Sequence, residues 1–202
     1  MNNNKAPVSQ QPFNSFTTTA TFPVSRILPD GLFTDSDDTT PLAYEMIDLP
    51  AGMVLDGKIL TGAPLQAGLF VVTLKAIDDY GASATSQFTI TVKPAQEIGV
   101  DVYSGGSFQS QNFVRPLKTK DGFDVNSTRF LTNFLAKPNG AAKVVKMVLS
   151  GPVQQTQIET DAPFGLFGDN GGVKLEVGQY ELVVETYNSA DMTAESGLGR
   201  AV

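Results

Sequence analysis

Apolar and polar residues alternate with a period of two along much of this chain. In "LFVVTLKAID" (69–78), Phe70, Val72, Leu74 and Ala76 fall on one face of an extended strand, with Val71, Thr73, Lys75 and Ile77 on the other. "SQFTITVK" (86–93) sets Phe88, Ile90 and Val92 against Gln87, Thr89, Thr91 and Lys93. Between the two runs, Asp79-Tyr80-Gly81 is turn chemistry, so the pair predicts a hairpin. The same pattern predicts strands over 15–22 and 42–49, and a short one over 58–60 flanked by the turns "LPAG" and "LTGAPLQAG". It resumes over 112–119, 127–136, 143–151 and 180–188, with loops at "AKPNGAA" and "GDNGG". No long stretch places apolar residues at three- and four-residue spacing, so the expected fold class is all-β. Strands separated by turn signals at these intervals predict Greek-key β-sandwiches.

A chain of 202 residues suits two such domains of about 100 residues each. Lys93-Pro94-Ala95-Gln96-Glu97 reads as the boundary, because Pro94 ends the alternation and a short polar segment follows. The expected domains are 1–95 and 96–202. "ESGLGRAV" at the C-terminus reads as the start of a strand cut short, so the second module is expected to be truncated there. A missing strand would leave a neighbouring edge with unpaired backbone groups, unless a partner supplies it.

Composition narrows the chemistry. Hydrophobic residues make up 41%, the net charge is −7 and the isoelectric point is about 4.5. An acidic chain has no electrostatic grip on nucleic acid or anionic lipid. No run approaches the length needed to span a bilayer, and "MNNNKAPVSQ" lacks the basic head and apolar core of a secretory signal. There is no cysteine, histidine or tryptophan. That removes disulfides, thiolate nucleophiles, the commonest general base and the commonest transition-metal ligand. Hard, oxygen-ligated cations remain, calcium above all. Paired carboxylates are compatible with glycoside hydrolysis in principle. Two small sandwiches with compact loops rarely build the cleft it needs, and no enzymatic activity is expected. No motif singles out a Lys, an Asn and an acid for an isopeptide crosslink.

Residues 49–92, "LPAGMVLDGKILTGAPLQAGLFVVTLKAIDDYGASATSQFTITV", closely resemble the bacterial putative-Ig, or dystroglycan-type cadherin-like, module. The resemblance is carried by Leu49-Pro50, Gly52, Asp56, Gly62, Pro64, Gly68, Phe70, Ala76, Asp78 and Gly81. Asn4-Lys5-Ala6-Pro7, and Asp35-Ser36-Asp37 followed by Leu42 and Tyr44, match the module's opening, so the likeness covers residues 1 to about 94. Gly62 and Gly68 suit turns that need positive φ or close backbone approach. From about 98 onward, "MVLSGPVQQTQIETDAPFGLFGDNGG" (147–172) and "LEVGQYELVVETYNS" resemble a β-sandwich module of long surface and secreted proteins of Bacteroidetes-type bacteria. Together the two resemblances imply tandem Ig-like/cadherin-like sandwiches.

In cadherin-like modules calcium sits at the domain junction, held by a D-x-D, the aspartate of A-x-D and oxygens of the preceding linker. The resemblance therefore implies a calcium site at Asp35, Asp37, Asp78 and Asn4, with Asn2 and Asn3 beside it. Asp38 is expected to face solvent, and Lys5 departs from the pattern by placing a cation where the linker carries Asn. The same aspartates are also ordinary turn formers, because a short carboxylate bonds nearby backbone N–H groups. A second acidic cluster, Glu159-Thr160-Asp161 with Asp169-Asn170, flanks "APFGLFG". Phe164 and Phe167 there are either a binding rim with carboxylates for sugar hydroxyls or core plugs, and core plugs are the more common outcome.

The expected function is a non-catalytic structural or adhesion module of a larger bacterial surface or secreted protein, stiffened by calcium, extracellular and monomeric. Its partners would be neighbouring modules of the same polypeptide and a cell-surface or polysaccharide ligand. The competing expectation is a carbohydrate-binding accessory of a secreted glycan-degrading enzyme. The absence of tryptophan and of an evident aromatic row leans toward the structural role.

Overall fold

The computed structural model describes residues 4–37, 40–105, 108–109, 113–118, 131–138, 142–169 and 171–202. Among them there are seventeen strands and no helix. The chain divides into two compact units, Met1–Pro94 and Ala95–Val202.

The first unit contains β1 (Val8–Ser9), β2 (Phe16–Thr19), β3 (Val24–Ile27), β4 (Phe33–Thr34), β5 (Ala43–Ile47), β6 (Met53–Asp56), β7 (Ile59–Gly62), β8 (Gly68–Ile77) and β9 (Ser83–Lys93). One sheet runs β2-β9-β8-β5, a second runs β3-β7-β6, and β1 pairs with β4. β8 and β9 form the antiparallel hairpin that the alternation predicts, in register from Gly68↔Val92 to Ile77↔Ser83. Val72, Leu74 and Ala76 of β8, and Phe88, Ile90 and Val92 of β9, are all buried. Leu60 of β7 is completely buried on the inner face of the other sheet. Each of the buried Val, Leu, Ile and Phe side chains contributes about 1.5–3 kcal/mol through removal from water.

The structure redraws several of the expected strands. The segment 15–22 is not one strand: β2 stops at Thr19, Thr21 takes a φ of 68°, and β3 begins at Val24. The break is fixed by hydrogen bonds from Ala20 N to the Lys93 carbonyl (2.9 Å) and from Thr21 N to the Pro64 carbonyl (2.8 Å). The single short strand expected over 58–60 is one arm of a hairpin, β6–β7, with Met53 opposite Gly62. Gly62 has a φ of 117°, and a Cβ there would land inside contact distance of the Gly52 carbonyl oxygen. Close approach of the two strand ends is therefore what requires glycine at 62. Gly68 needs neither positive φ nor close backbone approach; the nearest group to a Cβ would be the Phe70 ring at 3.3 Å.

The second unit contains β10 (Ile98–Ser104), β11 (Phe113–Pro116), β12 (Thr132–Pro138), β13 (Val144–Ser150), β14 (Gln155–Glu159), β15 (Phe164–Gly165), β16 (Glu181–Tyr187) and β17 (Gly197–Ala201). Its sheets run β11-β10-β12-β15 and β14-β13-β16-β17. They share one core, in which Val100, Val102, Phe134 and Ala136 from the first sheet join Val145, Met147, Leu149 and Val184 from the second. This is a two-layer sandwich. β10 escaped the pattern reading because Val100, Asp101, Val102 and Tyr103 are all buried, so no polar face marks it. The Asp101 carboxylate is compensated by the Lys137 ammonium at 2.9 Å, and that pairing raises the lysine's pKa. The C-terminal residues form β17, paired along β16, and the Leu198 carbonyl accepts from Gln96 N (2.6 Å). Of the strand expected over 127–136, residues 127–130 lie outside the described residues.

Candidate functional site

Asp78 ends β8 and opens the turn to β9. Its Oδ1 accepts from Tyr80 N (2.9 Å) and Ala82 N (2.8 Å), folding the turn around the carboxylate. Gly81, at a φ of 87°, lets the backbone close the loop, with Gly81 N donating to the Asp78 carbonyl and Asp78 N to the Ala82 carbonyl. The remaining oxygen, Oδ2, accepts from the Asn4 side-chain amide at 2.9 Å. Asp78 is only 6% exposed. The Asn4 amide first, and then the backbone N–H groups of Ala82, Tyr80 and Gly81, hold its carboxyl below the usual range against the opposing effect of burial.

The neighbouring residue carries the network onward. Lys5 N donates to Asp37 Oδ2 (2.9 Å), Lys5 Nζ lies 3.5 Å from Ser36 Oγ, and Asp37 N donates to Asp35 Oδ1 (3.3 Å). The N-terminal entry is thus stitched to two loops at once. Asn4 reaches the β8–β9 turn, and Lys5 reaches the acidic loop that follows β4. All four residues expected at the calcium site belong to this network. Asp38, Asn2 and Asn3 lie outside the described residues.

Among the described residues nothing donates a hydrogen bond to Asp35 Oδ2, a buried acceptor. A buried carboxylate oxygen without a donor is costly, and a bound cation is one way of compensating it. Among the described residues no three acidic side chains stand close enough to hold a cation by themselves. A calcium ion at this corner would therefore draw oxygens from Asn4 and from backbone carbonyls in addition to the aspartates, as its demand for six to eight oxygens requires. The aspartates alone do not assemble such a donor set, and the Lys5 ammonium lies at Ser36 in the same loop.

The second acidic cluster is organised differently. Leu166 is fully buried, and Phe164 and Phe167 are half-buried and packed against the core, so the aromatic residues plug the sandwich rather than form a rim. Their loop is held by Asn133, which sequence reasoning overlooked. Asn133 is fully buried on β12; its Nδ2 donates to the carbonyls of Gly168 and Gly171 (both 2.9 Å), and its Oδ1 accepts from Phe134 N (2.9 Å) and Phe167 N (3.1 Å). A polar residue inside the apolar run "FLTNFLA" was the available signal. Asn170 lies outside the described residues. A further cluster that sequence did not reveal is Glu185, 8% exposed, bracketed by Lys146 Nζ and Arg200 Nε (3.3 Å each) and by the Tyr187 hydroxyl (2.9 Å). It joins three adjacent strands across one sheet.

Fold and corner together define an all-β protein of Ig-like sandwich type. Residues 6–93 match the family described as Putative Ig domain. No curated protein matches the chain. Among solved structures it is similar to a putative alpha-galactosidase/melibiase from Bacteroides fragilis at 22% identity and a TM-score of 0.35, over 44% of this chain and 18% of that one. A putative alpha-galactosidase from the same organism is similar at 24% identity and a TM-score of 0.34, over the same shares. The fibronectin(III)-like modules of Clostridium thermocellum CbhA are similar at 12% identity and a TM-score of 0.32, over 96% of this chain and 90% of that one. The chain thus spans only 18% of the length of either galactosidase. Among the described residues no helix is long and apolar enough to cross a membrane.

Proposed function

We propose that this chain is a non-catalytic, extracellular structural and adhesion segment of a larger bacterial surface or secreted protein, with calcium stiffening the N-terminal corner of its first unit. The observation that carries the reading is the buried Asp35 Oδ2, to which none of the described residues donates, within a network tying Asn4 and Lys5 to Asp35, Asp37 and Asp78. Asp35, Asp37, Asp78 and the Asn4 amide oxygen are the groups that would hold the ion. When bound, calcium supplies positive charge that removes the mutual repulsion of the aspartates and couples metal binding to order in the loops. The chain's own residues already bring the entry segment and both loops together, and an ion would tighten a junction that hydrogen bonds have made.

Calorimetry of the intact chain in calcium and in chelator tests this reading. The expected result is a higher melting temperature in calcium for the wild type and none of that gain in the Asp35→Asn, Asp78→Asn double variant. Equal calcium dependence in the two proteins would sink the site. Full-chain scattering should also show a narrower range of conformations with calcium present.

A further inference from the structure

Along β8, Val72, Leu74 and Ala76 point into the core of the first unit, so Leu69, Val71, Thr73, Lys75 and Ile77 point the other way. Leu69 is 70% exposed and Val71 52%. Ile47 of β5, 47% exposed, stands opposite Thr73 and therefore diagonal to Val71. On the other side, Thr91 and Thr89 of β9 stand opposite Leu69 and Val71, and their methyl groups extend the patch. Single exposed aliphatic residues need no explanation, whereas a contiguous set marks a surface that another molecule covers.

Charge decides what can cover it. Among the strand residues of this face the charged ones are Lys75 and Glu45, in register and 3.6 Å apart, and Lys93 at the end of β9. Two lysines and one glutamate leave no acidic excess, although the chain as a whole carries −7. A second copy is repelled by the acidic remainder of the surface but not by this sheet. The other sheet also exposes aliphatic side chains, Ile27, Ile59 and Val54. There, however, Asp56 shares the face, in register with Ile59, and two copies would bring carboxylates together. Size agrees as well. At about 3.4 Å per residue and about 4.8 Å between strands, the paired residues of β2-β9-β8-β5 cover roughly 500 Å² per copy. Two copies then bury about 1,000 Å², the lower bound for a specific interface, which fits weak pairing rather than an obligate dimer.

We propose that a second copy of this chain packs on the outward face of β2-β9-β8-β5, with a two-fold axis passing near Val71. Isologous symmetry uses the same patch twice, so Leu69, Val71 and Ile47 of both copies leave water together. Sheets packed face to face lie about 10 Å apart with their side chains interdigitated, a spacing that aliphatic and threonine side chains fill. Such contact ties neighbouring copies side by side, in place of the monomer expected from the sequence. It goes beyond the structural role proposed above and does not depend on calcium.

The test is sedimentation velocity of the intact chain from about 10 µM to about 1 mM, where an interface of this size assembles. The expected result is a monomer–dimer equilibrium that chelator leaves unchanged. Val71→Lys, on a face that already carries Lys75, should weaken pairing at least about tenfold, because the two-fold axis sets two ammonium groups against each other. Val71→Glu should do the same, and mixing the two variants should restore pairing. Val54→Lys, an exposed change on the other sheet, should leave pairing as in the wild type. Melting temperatures of the variants separate lost pairing from lost folding. A monomer throughout the range, equal weakening by Val54→Lys, or no recovery on mixing would overturn the proposal. So would pairing that chelator abolishes, since the contact would then belong to the Asn4 corner. Loss of calcium-dependent melting with pairing intact would refute only the metal reading.

Discussion

Asn133→Ala is the sharpest test of how the second unit is held. The side chain is fully buried and makes four hydrogen bonds, two as donor to Gly168 and Gly171 and two as acceptor from Phe134 and Phe167. Truncation to alanine leaves two N–H groups without acceptors, and each orphaned buried group costs about 1–3 kcal/mol. The two carbonyls lose less, since a second lone pair and shifted water relieve them more readily. The expected loss is about 3–5 kcal/mol, a large share of the roughly 5–15 kcal/mol that stabilises a typical domain. With a urea slope of about 1–3 kcal/mol per molar, the unfolding midpoint falls by about 1–5 M. Hydrogen exchange read on peptides covering 131–138 and 164–169 assigns the loss to this unit. Asn133→Leu, similar in size, should be nearly as damaging, because volume is not what the site needs. Asn133→Asp should be equally damaging at neutral pH, since a carboxylate oxygen would then face two carbonyls. If Asn133→Leu is tolerated within about 1 kcal/mol, the polar anchoring argument is wrong and the loop is held by its aromatic plugs.

Other consequences follow from the first unit. Gly62→Ala should cost at least about 2 kcal/mol by denaturant melting, because the residue adopts a left-handed φ and faces the Gly52 carbonyl; Gly68→Ala, which meets only the Phe70 ring, should cost clearly less. Asp78 has a folded pKa below its ordinary 3.8, so the stability it contributes is present above that value and is lost as pH falls through the lowered one. Exchange protection of the 78–82 turn should accordingly drop on acidification, and Asp78→Asn should flatten that dependence. Lys5→Asn removes the ammonium beside Ser36 and should strengthen calcium-dependent stabilisation; an unchanged calcium response in that variant would show that Lys5 does not compete. Tyr187 is held protonated by burial and by Glu185, so its contribution is present below the ordinary tyrosine value of about 10 and fades as pH rises above it. Spectroscopic titration of the phenol should find one tyrosine resisting ionisation, and Glu185→Gln should bring its titration back toward the ordinary range.

The sequence alone determined whatever depends on a half-buried strand. The β8–β9 hairpin and its inward residues are legible because one face is wet and the other dry, so period-two alternation is written into the residues. The same holds for the turn at Asp78, where Asp and Gly have local reasons to stand. Tertiary structure decided what two-sided burial and long-range pairing control. β10 shows no alternation because both its faces are covered, and β3 and β6 emerge only once Gly52 and Gly62 bring their backbones together. Asn133 was unreadable for a related reason. Its meaning lies in partners far along the chain, Gly168 and Gly171. The linkage of Asn4 to Asp78 and of Lys5 to Asp37 spans 74 and 32 residues respectively, a coupling that no local pattern encodes and that only the closed sandwich creates.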